Sequence, residues 1–252
     1  MNDLYDAPWL YDLEHDGYRD DLGFYRRLAE DHAGPVLELG AGTGRVTFAL
    51  AAAGLPVVAV EPNDAMRARA AERLAALAAA RPDVAARVRL VAADARTLAL
   101  GERFALVVAA FNTLMHLVHV DEQDAVLARA RDHLSAGGAF ACDVFVPRFG
   151  PEGVVRAEAG WAQVAGPDAD LFVWQHHDPV RQLVLSHHRL DEVGPDGVLR
   201  RHRATLRQRY YQRYELERAL RTAGFGDVRC YGDFERGPVR ATSLVWAFVA
   251  RA

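Results

Sequence analysis

Lysine is missing from this chain of 252 residues, so every strongly basic side chain is an arginine. An enzyme that forms a Schiff base with pyridoxal phosphate or with a carbonyl substrate needs a lysine amine. A Walker A loop needs a lysine to reach the phosphates of its nucleotide. The absence of lysine therefore excludes both classes of mechanism.

Long apolar runs and an excess of positive charge are missing as well. No run approaches the roughly 20 residues of a membrane span, and residues 1–6 are too acidic for a signal peptide. The 34 acidic and 30 basic residues give a net charge of −4, which does not attract nucleic acid or an anionic membrane. The two cysteines, Cys142 and Cys230, fall in separate apparent strands, so we expect reduced thiols and a cytoplasmic protein.

A short apolar run that ends in three alternating glycines is the most informative feature. Val36–Leu39 predicts a buried strand, Gly40, Gly42 and Gly44 follow it, and an alanine-rich helix is predicted over 45–53. Glycines at the carboxyl end of a strand allow a tight turn and bring the backbone close to a ligand. In a doubly wound sheet, nucleotide-like ligands bind at such a point.

Apolar runs and helical patterns alternate as far as residue 146. A helix over 19–32 comes first, and Asn63 is the expected N-cap of the helix that follows the second strand. The patterns predict strands at 36–39, 56–60, 88–93, 104–110 and 139–146, separated by helices at 45–53, 63–80 and 121–134. This alternation is typical of a doubly wound α/β fold with a parallel sheet.

The pattern changes after residue 146, where three strand-like segments and a strong turn signal at 194–197 predict an inserted antiparallel β meander. The segments are 171–177, 182–190 and 198–211. A helix over 213–223 and two strands at 226–232 and 244–250 end the chain. The hairpin-like connection between those strands makes the last strand antiparallel to its neighbour.

These elements predict a seven-stranded, mostly parallel sheet with an antiparallel last strand. We expect residues 19–146 and 213–252 to form the ligand-binding domain, and residues 147–212 to form the inserted meander. Residues 1–18, an aromatic segment with little helical periodicity, are expected to act as a lid.

Acidic residues accompany the ends of the first three predicted strands. Glu38 lies inside the first strand just before the glycines, Glu61 ends the second, and Asp94 ends the third. A carboxylate at the end of the second strand is placed to accept both hydroxyls of a ribose, and an acid after the third can accept from an adenine amino group. Each acid taken alone is typical of a solvated loop. Three acids at or near the ends of successive strands indicate that all three line one crevice.

At these residues the chain resembles the class I S-adenosylmethionine-dependent methyltransferases. The matching segments are 38–44, 60–62, 93–95, 111–117 and 134–138. The resemblance implies S-adenosylmethionine as the cofactor, with its ribose held by Glu61. It implies that the methionine part lies near Gly40, Ala41 and Gly42, that the adenine lies near Asp94, Ala95, Pro62 and Met66, and that Glu38, Phe111 and Asn112 are further contacts.

Within that class the chain is similar to small-molecule N- or O-methyltransferases, such as the sugar N,N-dimethyltransferases and the glycine N-methyltransferase-like enzymes. The similarity rests on Tyr11-Asp12, on Phe111-Asn112 with His116, and on the inserted strands. In such relatives an N-terminal tyrosine closes over the cofactor, which implies cofactor contacts for Tyr11 and Tyr18. The inserted sheet roofs a small-molecule substrate or forms a homodimer contact.

The implied reaction is an in-line displacement at a sulfonium methyl, in which the cofactor supplies the reactivity and the protein supplies the positioning. A base is needed only when the acceptor arrives protonated. His116 is the candidate base because it follows the fourth strand and its pKa can lie near neutrality. Tyr11 is the second candidate catalytic residue. Alternatively, His116 only packs within the fold or contacts the cofactor. The alternative for Tyr11 and Tyr18 is an aromatic plug in the lid.

Other functions fit the pattern less well. A nicotinamide-dependent oxidoreductase needs a third glycine where this chain has Arg45, and it leaves Asp94 unexplained. A methyltransferase-fold enzyme with a different reaction, such as a cyclisation, and a non-catalytic cofactor-binding protein both remain open, because a fold does not fix a reaction.

Histidine and arginine are concentrated in the inserted segment. Histidine pairs at 176–177 and 187–188, with His202, raise the question of a metal site, but no cysteine or carboxylate completes a recognisable spacing. We therefore expect no metal. The alternating arginines over 201–209 predict a solvated face, with an anionic substrate or an acidic partner subunit as the alternative.

Overall fold

The computed structural model describes residues 3–147, 160–163 and 169–252, which divide into two compact units. The larger unit comprises residues 19–146 and 211–252, and the smaller comprises residues 1–18 and 147–210. The strands are β1 (Val36–Leu39), β2 (Val57–Val60), β3 (Val88–Val91), β4 (Phe104–Ala109), β5 (Leu134–Phe145), β6 (Gly160–Gln163), β7 (Ala169–Asp178), β8 (Leu183–Val193), β9 (Leu199–Arg209), β10 (Val228–Tyr231) and β11 (Val245–Arg251). The helices are α1 (Pro8–His15), α2 (Leu22–His32), α3 (Arg45–Ala52), α4 (Asp64–Ala80), α5 (Pro82–Ala85), α6 (Val120–Asp132) and α7 (Arg213–Thr222).

The larger unit contains a seven-stranded sheet in the order β10-β11-β5-β4-β1-β2-β3. The pairs from β5 to β3 are parallel, whereas β11 runs antiparallel to both β5 and β10. All residues of β1 and β2 are buried, as expected for central strands of a sheet covered on both faces. The predicted fold class, including the antiparallel last strand, is confirmed.

The order of the strands places a ligand crevice. The chain moves outward from β1 to β2 and β3, then returns to β4 on the other side of β1. The sheet therefore reverses its winding direction at β1 and β4, and ligands bind outside the carboxyl ends of the strands at such a point. The glycines that follow β1 lie at this edge.

Some predicted boundaries were wrong. β5 begins at Leu134 rather than at 139, because Phe104 pairs with Leu134 but Leu106 pairs with Ala139. This shift in register absorbs the glycines at 137–138, which lie between the predicted helix and the predicted strand. Correspondingly, α6 ends at Asp132 rather than at 134.

The N-terminal segment is more regular than predicted. It contains a 3₁₀ turn over Leu4–Asp6 and the helix α1. Pro8 occupies the first turn of α1, where its fixed φ is favourable and its missing N–H costs nothing. The helix has only eight residues, and Trp9 and Tyr11 lie on different sides of it, so its periodicity is weak in the sequence.

The smaller unit contains a four-stranded antiparallel sheet in the order β6-β7-β8-β9. Three of its strands were predicted, and β6 was not. The turn signal at 194–197 is confirmed, since the N–H of Gly197 donates to the carbonyl of Gly194 at 2.8 Å between β8 and β9. Leu4 and Leu10 pack on one face of this sheet in a cluster with Leu171, Leu190 and Ala204.

Among the residues that the structure describes, no helix combines the length and the apolar character that crossing a bilayer requires.

Replacement of Asn63 by alanine is expected to destabilise the larger unit by about 1 kcal/mol. The Asn63 side chain accepts a hydrogen bond from the N–H of Met66 at 2.9 Å and so caps α4. Urea denaturation followed by circular dichroism measures the loss. Asn63→Ser retains a capping oxygen and should recover most of the stability. Equal stability of the two variants would contradict the capping role.

Candidate functional site

The loop after β1 depends on glycine for its shape. Gly40, Gly42 and Gly44 have φ of +68°, +59° and +91°, in the left-handed region that other residues rarely adopt. A Cβ on Gly40 would lie 2.6 Å from Cγ2 of Thr113, so the loop after β4 also requires this glycine. A Cβ on Gly42 would lie 3.5 Å from Cε of Met66, an ordinary contact, so its constraint is conformational.

Glu61 joins this loop to the end of β2. One carboxylate oxygen accepts the N–H of Gly42 at 2.8 Å, and the other accepts the N–H of Asn63 at 2.9 Å. Burial raises the pKa of Glu61, and the two backbone hydrogen bonds oppose that rise. A carboxylate has lone pairs for about four hydrogen bonds. Glu61 therefore retains acceptor capacity on both oxygens while fixing two segments of backbone.

The other residues predicted near the glycine loop surround Glu61. The N–H of Ala41 donates to the carbonyl of Val60 at 3.0 Å, which continues the β1–β2 pairing into the loop. Met66 is buried in the first turn of α4, whereas Pro62 is exposed. The structure thus brings Gly40, Ala41, Gly42, Glu61 and Met66 together at the carboxyl edge of β1 and β2.

Asp94 lies after β3, but Arg96 engages its carboxylate. Both oxygens accept hydrogen bonds from the Arg96 side chain, and Oδ1 also accepts the N–H of Arg96 at 2.8 Å. This partner holds the pKa of Asp94 below its usual value. Arg96 also pairs with Glu122, and Ala95 is half-buried. An adenine contact with the Asp94 carboxylate requires the exposed Arg96 side chain to move or to share it.

Glu38 is buried within β1 and accepts a hydrogen bond from the hydroxyl of Thr47 in α3. Burial raises the pKa of Glu38 to about 7, against the opposing effects of Thr47 and Arg45. Only 2% of the residue is exposed. Its carboxyl group therefore connects β1 to α3.

Arg45 explains why the third glycine of a dinucleotide fingerprint is absent. Its guanidinium forms two hydrogen bonds of 2.6 Å to the carboxylate of Asp21, whose side chain is fully buried. The same guanidinium lies 4.7 Å from the centre of the Phe111 ring. A buried, bidentate ion pair with a cation–π contact requires the planar arginine head. Sequence reasoning recorded Arg45 only as a mismatch and missed Asp21.

The loop after β4 is held in an unusual conformation by Asp143. Phe111 and Asn112 both have positive φ, 52° and 64°, which is uncommon for asparagine and rarer still for a bulky residue. The N–H of Phe111 donates to Asp143 at 2.7 Å, and that of Asn112 donates at 3.3 Å. The hydroxyl of the buried Tyr25 donates to the same carboxylate.

The buried Asp143 and Tyr25 titrate far from their ordinary ranges. Burial raises the pKa of Asp143 to about 6, although the Tyr25 and backbone donors oppose the rise. Burial and the charge of Asp143 raise the pKa of Tyr25. The side chain of Asn112 completes the loop by accepting the N–H of Phe145 at 2.7 Å. Asp143 and Tyr25 were missed from the sequence, where no local motif marks them.

His116 ends a 3₁₀ turn, Thr113–His116, that follows this strained loop. Burial lowers its pKa to about 4, so the imidazole is neutral at pH 7 and can accept a proton or a hydrogen bond. The carbonyl of the neighbouring Leu114 accepts the hydroxyl of Tyr211 at 3.3 Å. The turn is therefore anchored from the start of α7 as well as from β5.

The two N-terminal tyrosines belong to the smaller unit. Tyr11 is half-buried in α1, with its ring edge-on to His15 at 4.6 Å and to Tyr5 at 5.8 Å. Tyr18 is also half-buried, and its N–H donates to the carbonyl of His15 at 3.0 Å.

The histidine pairs of the inserted sheet do not face one another. His177 pairs with Val184, and His188 pairs with Val173, so the register sets them four residues apart along β8. Within the described ranges 3–147, 160–163 and 169–252, no cluster of three histidine, cysteine or acidic side chains is suited to a metal ion.

These features define a class of protein. A glycine loop lies at the switch point of the sheet, an acid lies at the end of β2, and ordered loops follow β3 and β4. This arrangement is typical of the nucleoside-binding edge of a doubly wound sheet. Residues 36–138 match the family described as methyltransferase domain. None of the curated protein sequences compared with the chain matches it.

Solved structures identify the family more closely. The CcbJ methyltransferase of Streptomyces caelestis is 32% identical, with a TM-score of 0.79 over 94% of this chain and 91% of that one. The glycopeptide N-methyltransferase MtfA, solved with S-adenosylmethionine, is 26% identical, with a TM-score of 0.60 over 93% of this chain and 95% of that one. CalS10 of Micromonospora echinaspora, an amino pentose methyltransferase, is 23% identical with a TM-score of 0.72, covers 100% and 97% of the two chains, and supports the fold.

The chain belongs to the class I S-adenosylmethionine-dependent methyltransferases. The predicted family, enzyme class and methyl donor are thereby confirmed.

Replacing Gly42 by alanine is expected to weaken S-adenosylmethionine binding by about tenfold or more, as measured by calorimetry. The matched control is Gly54→Ala, at a residue with φ of +95° and no atom within 4 Å of the added Cβ. Both variants force a residue into the left-handed region, at a cost of about 1–2 kcal/mol in stability. Only the Gly42 variant alters the binding crevice. Equal donor affinity in the two variants would contradict a close approach of ligand to Gly42.

Proposed function

We propose that this methyltransferase acts on a nitrogen of a small, hydroxyl-rich molecule such as an amino sugar. The proposal is supported by two relatives that align over nearly their whole length, the glycopeptide N-methyltransferase MtfA and the amino pentose methyltransferase CalS10. An oxygen acceptor is the alternative. We propose no nucleic-acid partner, and the two free cysteines support a reducing, cytoplasmic location.

The Glu61–Gly42 hydrogen bond is the observation that carries the donor site. The residues present fit S-adenosylmethionine, because Glu61 keeps lone pairs on both oxygens for a pair of ribose hydroxyls. The positive φ of residues 40 and 42 favours glycine, and the missing side chains at these two positions leave the backbone open to the methionine part. When bound, S-adenosylmethionine supplies an electrophilic methyl group on a sulfonium.

The remaining donor contacts are assigned by position. Met66 and Pro62 pack beside the adenine, and Ala95 presents its backbone there. Asp94 accepts from the adenine amino group once Arg96 yields the carboxylate. Phe111 and Asn112, fixed by Asp143, shape the crevice at the end of β4. Glu38 contributes by supporting α3 from within β1, since its carboxyl group is bonded to Thr47.

His116 is proposed to accept the proton that an ammonium acceptor must lose before its nitrogen can attack. Burial lowers the pKa of His116 to about 4, which keeps the ring neutral at pH 7 but makes it a weaker base than the near-neutral pKa expected from the sequence. This shift favours a hydrogen bond to the acceptor nitrogen over complete transfer of its proton. Tyr11 and Tyr18 are proposed to cover the donor, and the smaller unit is proposed to supply residues that bind the acceptor. A homodimer contact through the inserted sheet is the alternative role for that unit.

Glu61→Gln is expected to weaken S-adenosylmethionine binding by roughly 10- to 150-fold, because hydrogen bonds to a charged group contribute about 1.5–3 kcal/mol each. Glu72→Gln, on the exposed surface of α4, is the control and should bind as the wild type does. Calorimetry measures the affinities. Turnover is followed as release of S-adenosylhomocysteine with amino sugars and with their hydroxyl counterparts. Unchanged donor affinity in the Glu61 variant would refute this donor site, and turnover of hydroxyl acceptors alone would refute the nitrogen acceptor.

His116→Gln tests the base with two measurements. Turnover should fall by about 100-fold with donor affinity unchanged, since removing a general base costs this much or more. The wild type should also lose more stability than the variant on acidification from pH 6.5 to 4. Because the folded-state pKa lies below that of the unfolded chain, the unfolded state binds the extra proton in this window. If His116→Gln removes the pH dependence of stability but leaves turnover unchanged, the base role is refuted and His116 only packs.

A further inference from the structure

Three hydrogen-bond donors converge on the buried carboxyl group of Asp143 in β5. Oδ1 accepts the hydroxyl of Tyr25 and, at 2.7 Å, the N–H of Phe111, while Oδ2 accepts the N–H of Asn112 at 3.3 Å. Asp143 is 2% exposed, and Tyr25 is fully buried. An ionised carboxylate only accepts hydrogen bonds, so a set of three donors fits the ionised form.

These bonds control the main chain where β4 leads into the turn that ends at His116. They hold Phe111 and Asn112 at φ of 52° and 64°, a strained pair that persists only where the surroundings enforce it. The carbonyl of Asn112 then accepts the N–H of Met115 at 2.8 Å, inside that turn. The backbone held by Asp143 therefore continues directly into the backbone that places His116.

Protonation removes the fit between this carboxyl group and its donors. A protonated carboxyl carries a hydrogen of its own, and of the three partners only the Tyr25 oxygen can accept it, because a backbone N–H cannot. The bonds from Phe111 and Asn112 also lose the negative charge that makes such bonds roughly twice as strong. Burial raises the pKa of Asp143 to about 6, so the two forms exchange just below neutral pH.

The titratable and charged groups around Asp143 belong to the larger unit. Burial and the charge of Asp143 raise the pKa of Tyr25 in α2 and of the adjoining thiol of Cys142, so both keep their protons at neutral pH. The charge of Asp21, which lies just before α2 and is paired with Arg45, also raises the pKa of Asp143. The hydrogen bond from Tyr25 opposes this rise.

We propose that Asp143 is a positioning residue for methyl transfer, and that only its ionised form holds the loop after β4 and the turn of His116 in the active arrangement. Tyr25 supports this role, because its hydroxyl favours the ionised carboxylate. The inference rests on the proposed function, in which that loop shapes the crevice and His116 serves the acceptor nitrogen. Mild acidification then lowers turnover through a group that touches neither substrate.

Tyr25→Phe is the decisive variant, because it removes one hydrogen-bond donor and no charge. Loss of that bond should raise the pKa of Asp143 and move the acid limb of kcat upward by about one pH unit. The variant is assayed beside the wild type with methyl 3-amino-3-deoxyglucopyranoside at saturating S-adenosylmethionine. The ratio of the two kcat values cancels the titration of the amine itself. It should fall by about fivefold or more between pH 8 and 5.

A second buried tyrosine supplies the matched control. The hydroxyl of Tyr211 donates to the carbonyl of Leu114, which carries no charge. Tyr211→Phe should therefore give a ratio to wild-type kcat that does not change with pH. A ratio for Tyr25→Phe that is also independent of pH, or an equal fall in both variants, would overturn the proposal.

Asp143→Asn tests the carboxyl group directly. The asparagine cannot ionise and turns an NH₂ group toward at least one donor, so kcat should be about 100-fold below the wild type at pH 8. Wild-type kcat in a folded Asp143→Asn variant would refute the positioning role. If this variant does not fold, the pH dependence of Tyr25→Phe decides the question alone.

The loop can also be followed without any acceptor, which separates this inference from the proposed function. The amide proton of Phe111 donates to Asp143, so its NMR chemical shift should titrate near pH 6 in the wild type and at higher pH in Tyr25→Phe. Glu38→Gln removes another buried carboxyl group and should keep the wild-type midpoint. If no amino sugar is methylated, the nitrogen acceptor is refuted, and this titration still decides whether Asp143 controls the loop. A Phe111 shift that is constant between pH 5 and 8 would overturn the inference.

Discussion

The carboxylate of Glu61 provides the constraint on which the proposed donor crevice depends. Its two oxygens hold the backbone of the glycine loop after β1 and the backbone at the start of α4. Because the same short segment caps α4 through Asn63, the end of β2 sets the position of both the loop and the helix. A shift of Glu61 would therefore displace the glycine loop and the start of α4 together. Its buried charge is tolerated because backbone N–H groups replace part of the lost hydration.

Two further carboxylates, those of Asp21 and Asp143, fix other segments near the glycine loop. Asp21 holds Arg45 at the start of α3, and Asp143 holds the backbone of Phe111 and Asn112. Two consecutive residues with positive φ cost free energy, and such strain persists only where the surroundings enforce it. Here the enforcing groups are the Asp143 carboxylate, the Tyr25 hydroxyl and the Arg45 guanidinium over the Phe111 ring. This arrangement fixes the loops before any ligand arrives, which lowers the cost of binding.

Much of the fold was predictable because strands and helices each produce a local pattern of apolar residues in the sequence. Acids at the ends of successive strands mark one edge of a parallel sheet. The local pattern gave the wrong start for β5, because the glycines at 137–138 lie inside that strand at a change of register. The periodicity was too weak to reveal α1, which has only eight residues, two of them aromatic on different sides. Asp21, Tyr25 and Asp143 could not be predicted, because their roles arise from contacts between distant segments. Tyr25 and Asp143 are 118 residues apart in sequence.

The two segments of the smaller unit are far apart along the chain, and this separation affects how the protein folds during synthesis. Leu4 and Leu10 complete their cluster only with Leu190 and Ala204, which follow the whole first part of the larger unit along the chain. On the ribosome, the N-terminal helix must therefore remain without its partner strands while the parallel sheet is being made. Its apolar side chains stay open to chaperones and to self-association throughout that interval. Contacts of such long sequence separation also form slowly, because closing the chain between them costs entropy. We therefore expect the N-terminal segment to become ordered only after residues 190–204 have been synthesised.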